Sequence, residues 1–364
     1  MPAPRVRTAS QDDSLPVLGS GRVADSGLGM GPALTDPSAR RIRYLRVSVT
    51  DRCNYRCAYC MPAEGWAKKP REALLTLEEI GRFVELMASL GVTRVRLTGG
   101  EPLLRRGLVE LVRRVSETPG IDEVVMTTNG HLLSRHAGAL FQAGLTGLNV
   151  SLDTLDAERF SRMSRGGDLE VVKRGLTAAR EAGFVNIKLN TVVVAGENDH
   201  ELAELCRFAF DEGHLPRFIE LMPIGQLDYG RPEQVVPTAS MLERLMRAFG
   251  LEASTNLSGR VRGPARYHRV VSGPYLGAEI GLISPMTDDG FCASCNRARL
   301  TSTGGFRPCL GNDDEVSVLH SLRNHASAEH IVALVRRAVA LKLPAHRMQT
   351  FATAPSTGMT ALGG

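Results

Sequence analysis

The chain reads as an α/β protein: a partial (β/α)6 barrel followed by a C-terminal extension. Two patterns lead there. From residue 43 on, strand-like and helix-like segments alternate six times at roughly 25–40-residue intervals, which predicts a parallel sheet with right-handed crossovers. Polar and glycine-rich clusters follow successive strands, as they do where the loops at the C-terminal strand ends build a site. Six units are too few for a closed eightfold barrel, so the sheet is expected to stay open. A chain of 364 residues has room for such a body and a smaller module.

Residues 1–40 are rich in Gly, Pro, Ser and Ala and are expected to form a disordered tail without a targeting signal. In the next stretch Leu45, Val47 and Val49 alternate with Arg46 and Ser48, a strand signal. Thr76 and Glu79 have capping-box spacing ahead of Ile80, Val84 and Met87, so 77–90 is a helix ended by Gly91. Further strands are expected near 94–98, 121–127, 146–151, 185–194 and 216–221. Helices fit near 105–117, 132–143, 168–182, 199–212 and 238–249, which makes 41–250 the barrel. Residues 251–312 show no long helical period. Helical patterns near 313–323 and 327–342 follow, then a tail ending in Gly363 and Gly364. Residues 251–364 are expected to cover the barrel mouth.

Six of the seven cysteines fall in two triplets, Cys53, Cys57, Cys60 and Cys292, Cys295, Cys309. Such spacings point to metal in a reducing compartment rather than to a disulfide framework. Three thiolates can hold three irons of a 4Fe–4S cluster and leave the fourth iron open. Zinc is the alternative, and would need a fourth ligand such as His268 or His320. Cys206 lies in a helical stretch and reads as a buried small apolar residue. The formal net charge of +5 is mild, and no run of about 18 apolar residues exists. Neither a nucleic acid nor a membrane is expected as partner, and a cytoplasmic enzyme is.

The spacing of Cys53, Cys57 and Cys60 resembles the signature of the radical S-adenosylmethionine (SAM) enzymes, and Gly99-Gly100-Glu101-Pro102 resembles their second motif. Ser48 to Cys53, Arg96 to Pro102, Thr127-Thr128-Asn129-Gly130 and Cys292 to Leu300 narrow the resemblance to the GTP 3′,8-cyclase family over about residues 41–312. It implies a TIM-like radical SAM barrel, two 4Fe–4S clusters and S-adenosyl-L-methionine. It also implies a lyase that takes the 3′ hydrogen of GTP and joins that carbon to C8, opening molybdenum cofactor biosynthesis. A reducing electron donor, a homodimer and cyclic pyranopterin monophosphate synthase as the next enzyme are implied as partners.

By the same resemblance, Tyr59, Gly100, Ser151 and Met222 contact SAM. Arg46, Arg96, Thr127, Lys188, Arg297 and Arg299 contact GTP, and Arg94 joins them by position. Elementary physics runs in parallel. Arginine forks match phosphate oxygens, and alternate residues of adjacent strands share one face. Solvated edge positions for Arg94, Arg96 and Lys188 are the bland alternative. So are core packing for Met222 and a helix cap for Ser151. Asp153 and the Asp288-Asp289 pair have only a turn role. The last residues depart from the family pattern: Met359 and the two glycines are present, but the family's preceding Arg is absent and Leu362 replaces Ile.

Two other readings stay open. Radical enzymes that modify peptides also carry cysteines after the barrel, though usually more of them. A non-catalytic metal sensor on an inactive barrel would hold zinc instead of iron.

Overall fold

The computed structural model describes residues 33–224, 231–254, 263–348 and 358–363. The expectations for residues 1–32 and for Gly364 lie outside the described residues.

The expected strand–helix alternation is present. β1 (Tyr44–Ser48), α1 (Leu77–Ser89), β2 (Arg94–Thr98), α2 (Leu108–Ser116), β3 (Glu123–Thr128), α3 (Leu133–Gln142) and β4 (Gly147–Ser151) form the first half. Between β4 and the next strand lie two helices, α4 (Ala157–Ser164) and α5 (Leu169–Glu181). β5 (Ile187–Val193), α6 (Leu202–Asp211), β6 (Leu215–Glu220) and α7 (Thr238–Ala248) complete the six units. α1 starts as its sequence dictates. Thr76 Oγ1 accepts from Glu79 N–H (3.1 Å), and Glu79 Oε2 accepts from Thr76 N–H (2.8 Å). Gly91, at φ 89°, turns the chain out of the helix in a conformation that favours glycine. α4 was not expected. It is a two-turn helix capped by Asp156, with only Phe160 and Met163 as apolar anchors, too few to register as a period.

Residues 251–312, expected to show no long helical period, hold no helix among the described residues and supply β7 (Leu251–Ala253), β8 (Arg266–Val270), β9 (Glu279–Ile283), β10 (Arg297–Leu300) and β11 (Gly305–Arg307). Strands of three to five residues offer too few alternations to be read from sequence. The helix expected at 313–323 begins instead as β12 (Val316–Ser317) and continues as α8 (Leu319–Arg323). α9 (Ala328–Ala340) and the short α10 (Met359–Leu362) follow.

All twelve strands belong to one sheet, in the order β12-β11-β10-β1-β2-β3-β4-β5-β6-β9-β8-β7. The extension therefore adds to both ends of the barrel sheet. β10 pairs parallel with β1, and β9 parallel with β6, so the parallel part has eight strands. It stays open, because β10 and β9 each turn to an antiparallel neighbour. The outer face packs on the helices through one large apolar core that includes Val47, Leu97, Val150, Phe218 and Leu300. Sheets covered by crossover helices bury their strands in this way. Glu220, fully buried at the end of β6, ties barrel to extension: it accepts from Thr238 N–H (2.8 Å), Met286 N–H (2.8 Å) and Thr287 N–H (3.1 Å).

The tail boundary at residue 40 is also corrected. Leu34 is 1% exposed, its N–H donates to Leu90 O (3.1 Å), and its carbonyl accepts from Ile42 N–H (2.8 Å). Asp36 and Arg40 form a buried ion pair (2.6 Å). A lone leucine among Gly, Pro and Ser carries no periodic signal, so its packing was not legible. Leu34→Ala is expected to cost about 2–4 kcal/mol of unfolding free energy, as for a buried leucine elsewhere. Urea unfolding checks this, and a parent-like midpoint would contradict the packing role.

Candidate functional site

The site is a chamber at the C-terminal ends of the parallel strands, between the two cysteine triplets. Cys53, Cys57 and Cys60 follow β1. Backbone bonds tie their loop to the glycine motif after β2: Gly100 N–H donates to Thr50 O (2.8 Å) and Glu101 N–H to Arg52 O (2.8 Å). A Cβ on Gly99 would sit 2.5 Å from Thr50 O, and one on Gly100 2.2 Å from Arg52 O. Only glycine allows that approach. Glu101 locks the next loop by accepting from Leu103 N–H (3.0 Å), Thr128 Oγ1 (2.8 Å) and Asn129 N–H (2.7 Å).

Cys292 and Cys295 precede β10, and Cys309 follows β11, so the β10–β11 hairpin brings the split triplet together. All six thiols line the chamber, and none is in a disulfide. Burial raises the Cys57 thiol well above its usual range and Cys60 to about 12. Burial also raises Cys295, but Arg297 and Lys342 beside it outweigh this and bring it down to about 6. Among the described residues, no three His, Cys, Asp or Glu side chains converge on a single-ion position. Neither His268 nor His320 lines the chamber. The three thiols of each triplet match the ligand number of an iron–sulfur cubane that leaves one iron open.

The wall between the triplets is cationic. Parallel register sets Arg299, Arg46 and Arg96 side by side on β10, β1 and β2. Arg297, Tyr44 and Arg94 form the rung below. The lower rung is internally matched: Arg94 pairs with Glu123 (3.0 Å) and lies over the Tyr44 ring (4.8 Å). The upper rung has weaker partners. Arg96 donates to Thr127 Oγ1 (2.9 Å) and to the Tyr44 hydroxyl, and Arg46 Nη2 to Gly363 O (2.9 Å). Arg299 is 6% exposed, and its Nη1 is buried without a hydrogen-bond partner. Burial and the neighbouring Arg297 press its guanidinium down to about 10. Burial works against ionisation of the Tyr44 phenol, yet Arg96, Arg46 and Arg94 together bring it down to about 8. Such a rung invites an anion.

Of the residues singled out from sequence, Arg46, Arg96, Thr127, Arg297 and Arg299 line the chamber, as do Tyr59, Gly100, Ser151 and Met222. Arg94 and Lys188 do not line it. Lys188 is 2% exposed, and burial with Arg217, Arg94 and Arg96 nearby lowers its ammonium to about 7. Neither is a solvated edge residue. Ser151 ends a strand, and Asp156 caps the helix that follows. Cys206 is buried as expected.

The sequence reading missed Arg217, Asn190 and Asp153. Arg217, on β6, is 3% exposed, lines the chamber and donates to Asn190 Oδ1 (2.6 Å). An arginine among the apolar residues Leu215, Phe218 and Ile219 of a strand was a readable signal, the same one that marked Arg46 and Arg96. Asp153 does more than form a turn. It accepts from the Tyr59 hydroxyl (2.5 Å) and from Val192 N–H (2.9 Å), which fixes Tyr59 between two of the first cysteines. The final turn also reaches the chamber, with Met359 and Thr360 on its wall and Gly363 against Arg46.

The chain is similar to known proteins in sequence and in fold. Residues 47–209 match the Radical SAM superfamily and residues 216–348 match Molybdenum Cofactor Synthesis C. A GTP 3′,8-cyclase of Pseudomonas putida (strain GB-1) is 46% identical over 319 residues, covering 87% of this chain and 93% of its own. One from Pelotomaculum thermopropionicum is 44% identical over 316 residues, 86% and 95% of the two chains. In fold alone, the crystal structure of Streptococcus suis SuiB bound to S-adenosylmethionine is similar, with TM-score 0.53 at 16% identity, covering 80% of this chain and 67% of that one.

Burial raises Glu101 to about 7 despite its three donors. The folded chain then keeps a proton that the unfolded chain loses near pH 4.5, so this contribution to stability falls as pH rises from about 4.5 to 7. Relative to Glu101→Gln, wild-type stability is expected to drop by about 3 kcal/mol across that window. Urea unfolding at several pH values checks it, and a constant difference between the two proteins would sink it.

Proposed function

The chain belongs to the GTP 3′,8-cyclase family, and we propose that its chamber holds GTP between the two cysteine triplets, with the triphosphate on the arginine rung. The protein is a radical SAM lyase. It converts GTP to (8S)-3′,8-cyclo-7,8-dihydroguanosine 5′-triphosphate, the first step of molybdenum cofactor biosynthesis. It uses S-adenosyl-L-methionine and two 4Fe–4S clusters. When bound at the first triplet, a reduced cluster supplies the electron that cleaves S-adenosylmethionine.

The observation that carries the placement of GTP is the buried, partnerless Nη1 of Arg299 beside Arg46 and Arg96. A triphosphate supplies the acceptors that this rung lacks. The two acids on the wall do not compete, because Glu220 is filled by backbone donors and Asp153 by Tyr59 and Val192. Arg217 extends the cationic wall toward β6, while Arg94, paired with Glu123, and the buried Lys188 lie outside the lining. Tyr59, Gly100, Ser151 and Met222 also line the chamber and suit S-adenosylmethionine. The second triplet, next to Arg297, suits the guanine base.

No helix among the described residues is long and apolar enough to cross a membrane. A cytoplasmic homodimer served by a reducing electron donor, with cyclic pyranopterin monophosphate synthase as the next enzyme, completes the proposal on family grounds.

The test is anaerobic. Reconstituted, reduced protein is expected to form 5′-deoxyadenosine only when GTP is present, followed by chromatography and mass spectrometry. Arg299→Ala is expected to raise the KM for GTP about 10–100-fold, the worth of a charge-assisted bond. Unchanged GTP with the parent protein would overturn the reading, and a parent-like KM in the variant would remove Arg299 from it.

A further inference from the structure

Lys342 follows α9 and is 3% exposed. Its ammonium has three donors, and each has a target. It donates to Arg297 O (2.6 Å) at the start of β10, to Pro308 O (2.8 Å) just before Cys309, and to Cys295 Sγ (3.6 Å). One side chain thus spans the two separated parts of the second triplet.

Arg40 supports the same loop from behind. It donates to Cys292 O (2.8 Å), Leu343 O (2.7 Å) and Pro344 O (2.7 Å), while Asp36 neutralises it. Lys342 has no such acid. Among the described residues no carboxylate forms an ion pair with it, and the groups its ammonium reaches are two carbonyls and the Cys295 sulfur. A buried ammonium without a counter-charge is costly. Two backbone carbonyls would satisfy a neutral donor equally well, so the carbonyls alone do not explain a cation here. Thiolates that ligate an anionic cluster do.

We propose that Lys342 is the counter-cation of the second iron–sulfur cluster: it joins the two halves of the triplet and raises the cluster's reduction potential by stabilising the more negative, reduced state. It is a positioning residue and does not touch substrate. The inference rests on the second triplet holding a cluster, as proposed above. Hydrogen bonds and charge close to cluster sulfurs are known levers on potential.

The experiment uses the full chain with Cys53, Cys57 and Cys60 changed to Ser, so that only the second cluster contributes. This parent is reconstituted and titrated by electron paramagnetic resonance. A parent that binds no iron would refute the two-cluster reading itself, separately from the role of Lys342. With a loaded parent, Lys342→Met is expected to shift the potential negative and to release iron to a chelator at least about tenfold faster, a loss of about 1.4 kcal/mol of retention. Lys342→Arg keeps the charge and is expected to keep the parent's potential. If Lys342→Met loads no iron while Lys342→Arg loads and titrates like the parent, the proposal is supported. Parent-like potential and release in Lys342→Met would overturn it. Failure of both variants to load would assign Lys342 to packing alone and overturn it as well.

Discussion

The structure is organised around a cost: cationic side chains buried on the inner face of a parallel sheet. Arg299, Arg46 and Arg96 stand in register on three neighbouring strands, with Arg299 6% and Arg96 3% exposed. An apolar core would stabilise these strands more cheaply. Their cationic face lines the chamber, where a bound anion would offset the burial. The rung below, Arg94 with Glu123 and Tyr44, shows the alternative in which the protein neutralises itself. The two rungs differ in that Arg94 of the lower one carries its own acid.

That wall requires the extension. β10 carries Arg297 and Arg299 and belongs to the chain's last third, yet it pairs parallel with β1 at the start of the barrel. The other end of the same segment closes on β6 through β9. The extension is therefore built into the sheet at both ends, and Glu220 ties the two at the chamber rim. The barrel supplies one cysteine triplet with its glycine motif. The extension supplies the other, with Lys342 between its halves. Neither part makes a chamber alone.

Rigid backbone contacts set the geometry of the first triplet. The bonds from Gly100 and Glu101 to residues 50 and 52 hold the cysteine loop at the strand ends, and side chains at Gly99 or Gly100 would push it away. Tyr59 is held by Asp153 in the same spirit. Loops of this kind are exposed to water on one side, so hydrogen bonds and close approach do the positioning that apolar packing does elsewhere.

Much of this was determined by the sequence alone. The six strand–helix units follow from periodicity, the helix start at Thr76 from local capping, and both cysteine sites from spacing. Each is a signal carried by residues near one another in the chain. Leu34, α4 and the short strands from β7 to β11 were not legible, because their stability comes from distant partners rather than local pattern. The same limit explains the site. Alternation placed Arg46, Arg94 and Arg96 on one face, but only strand register could decide that Arg94 meets Glu123 while Arg46 meets Arg299. Lys342 and Asp153 acquire their roles only through contacts across 34 to 94 residues of chain. Tertiary structure decided these because electrostatics acts through space, and the sequence order of two charges does not tell how far apart they lie.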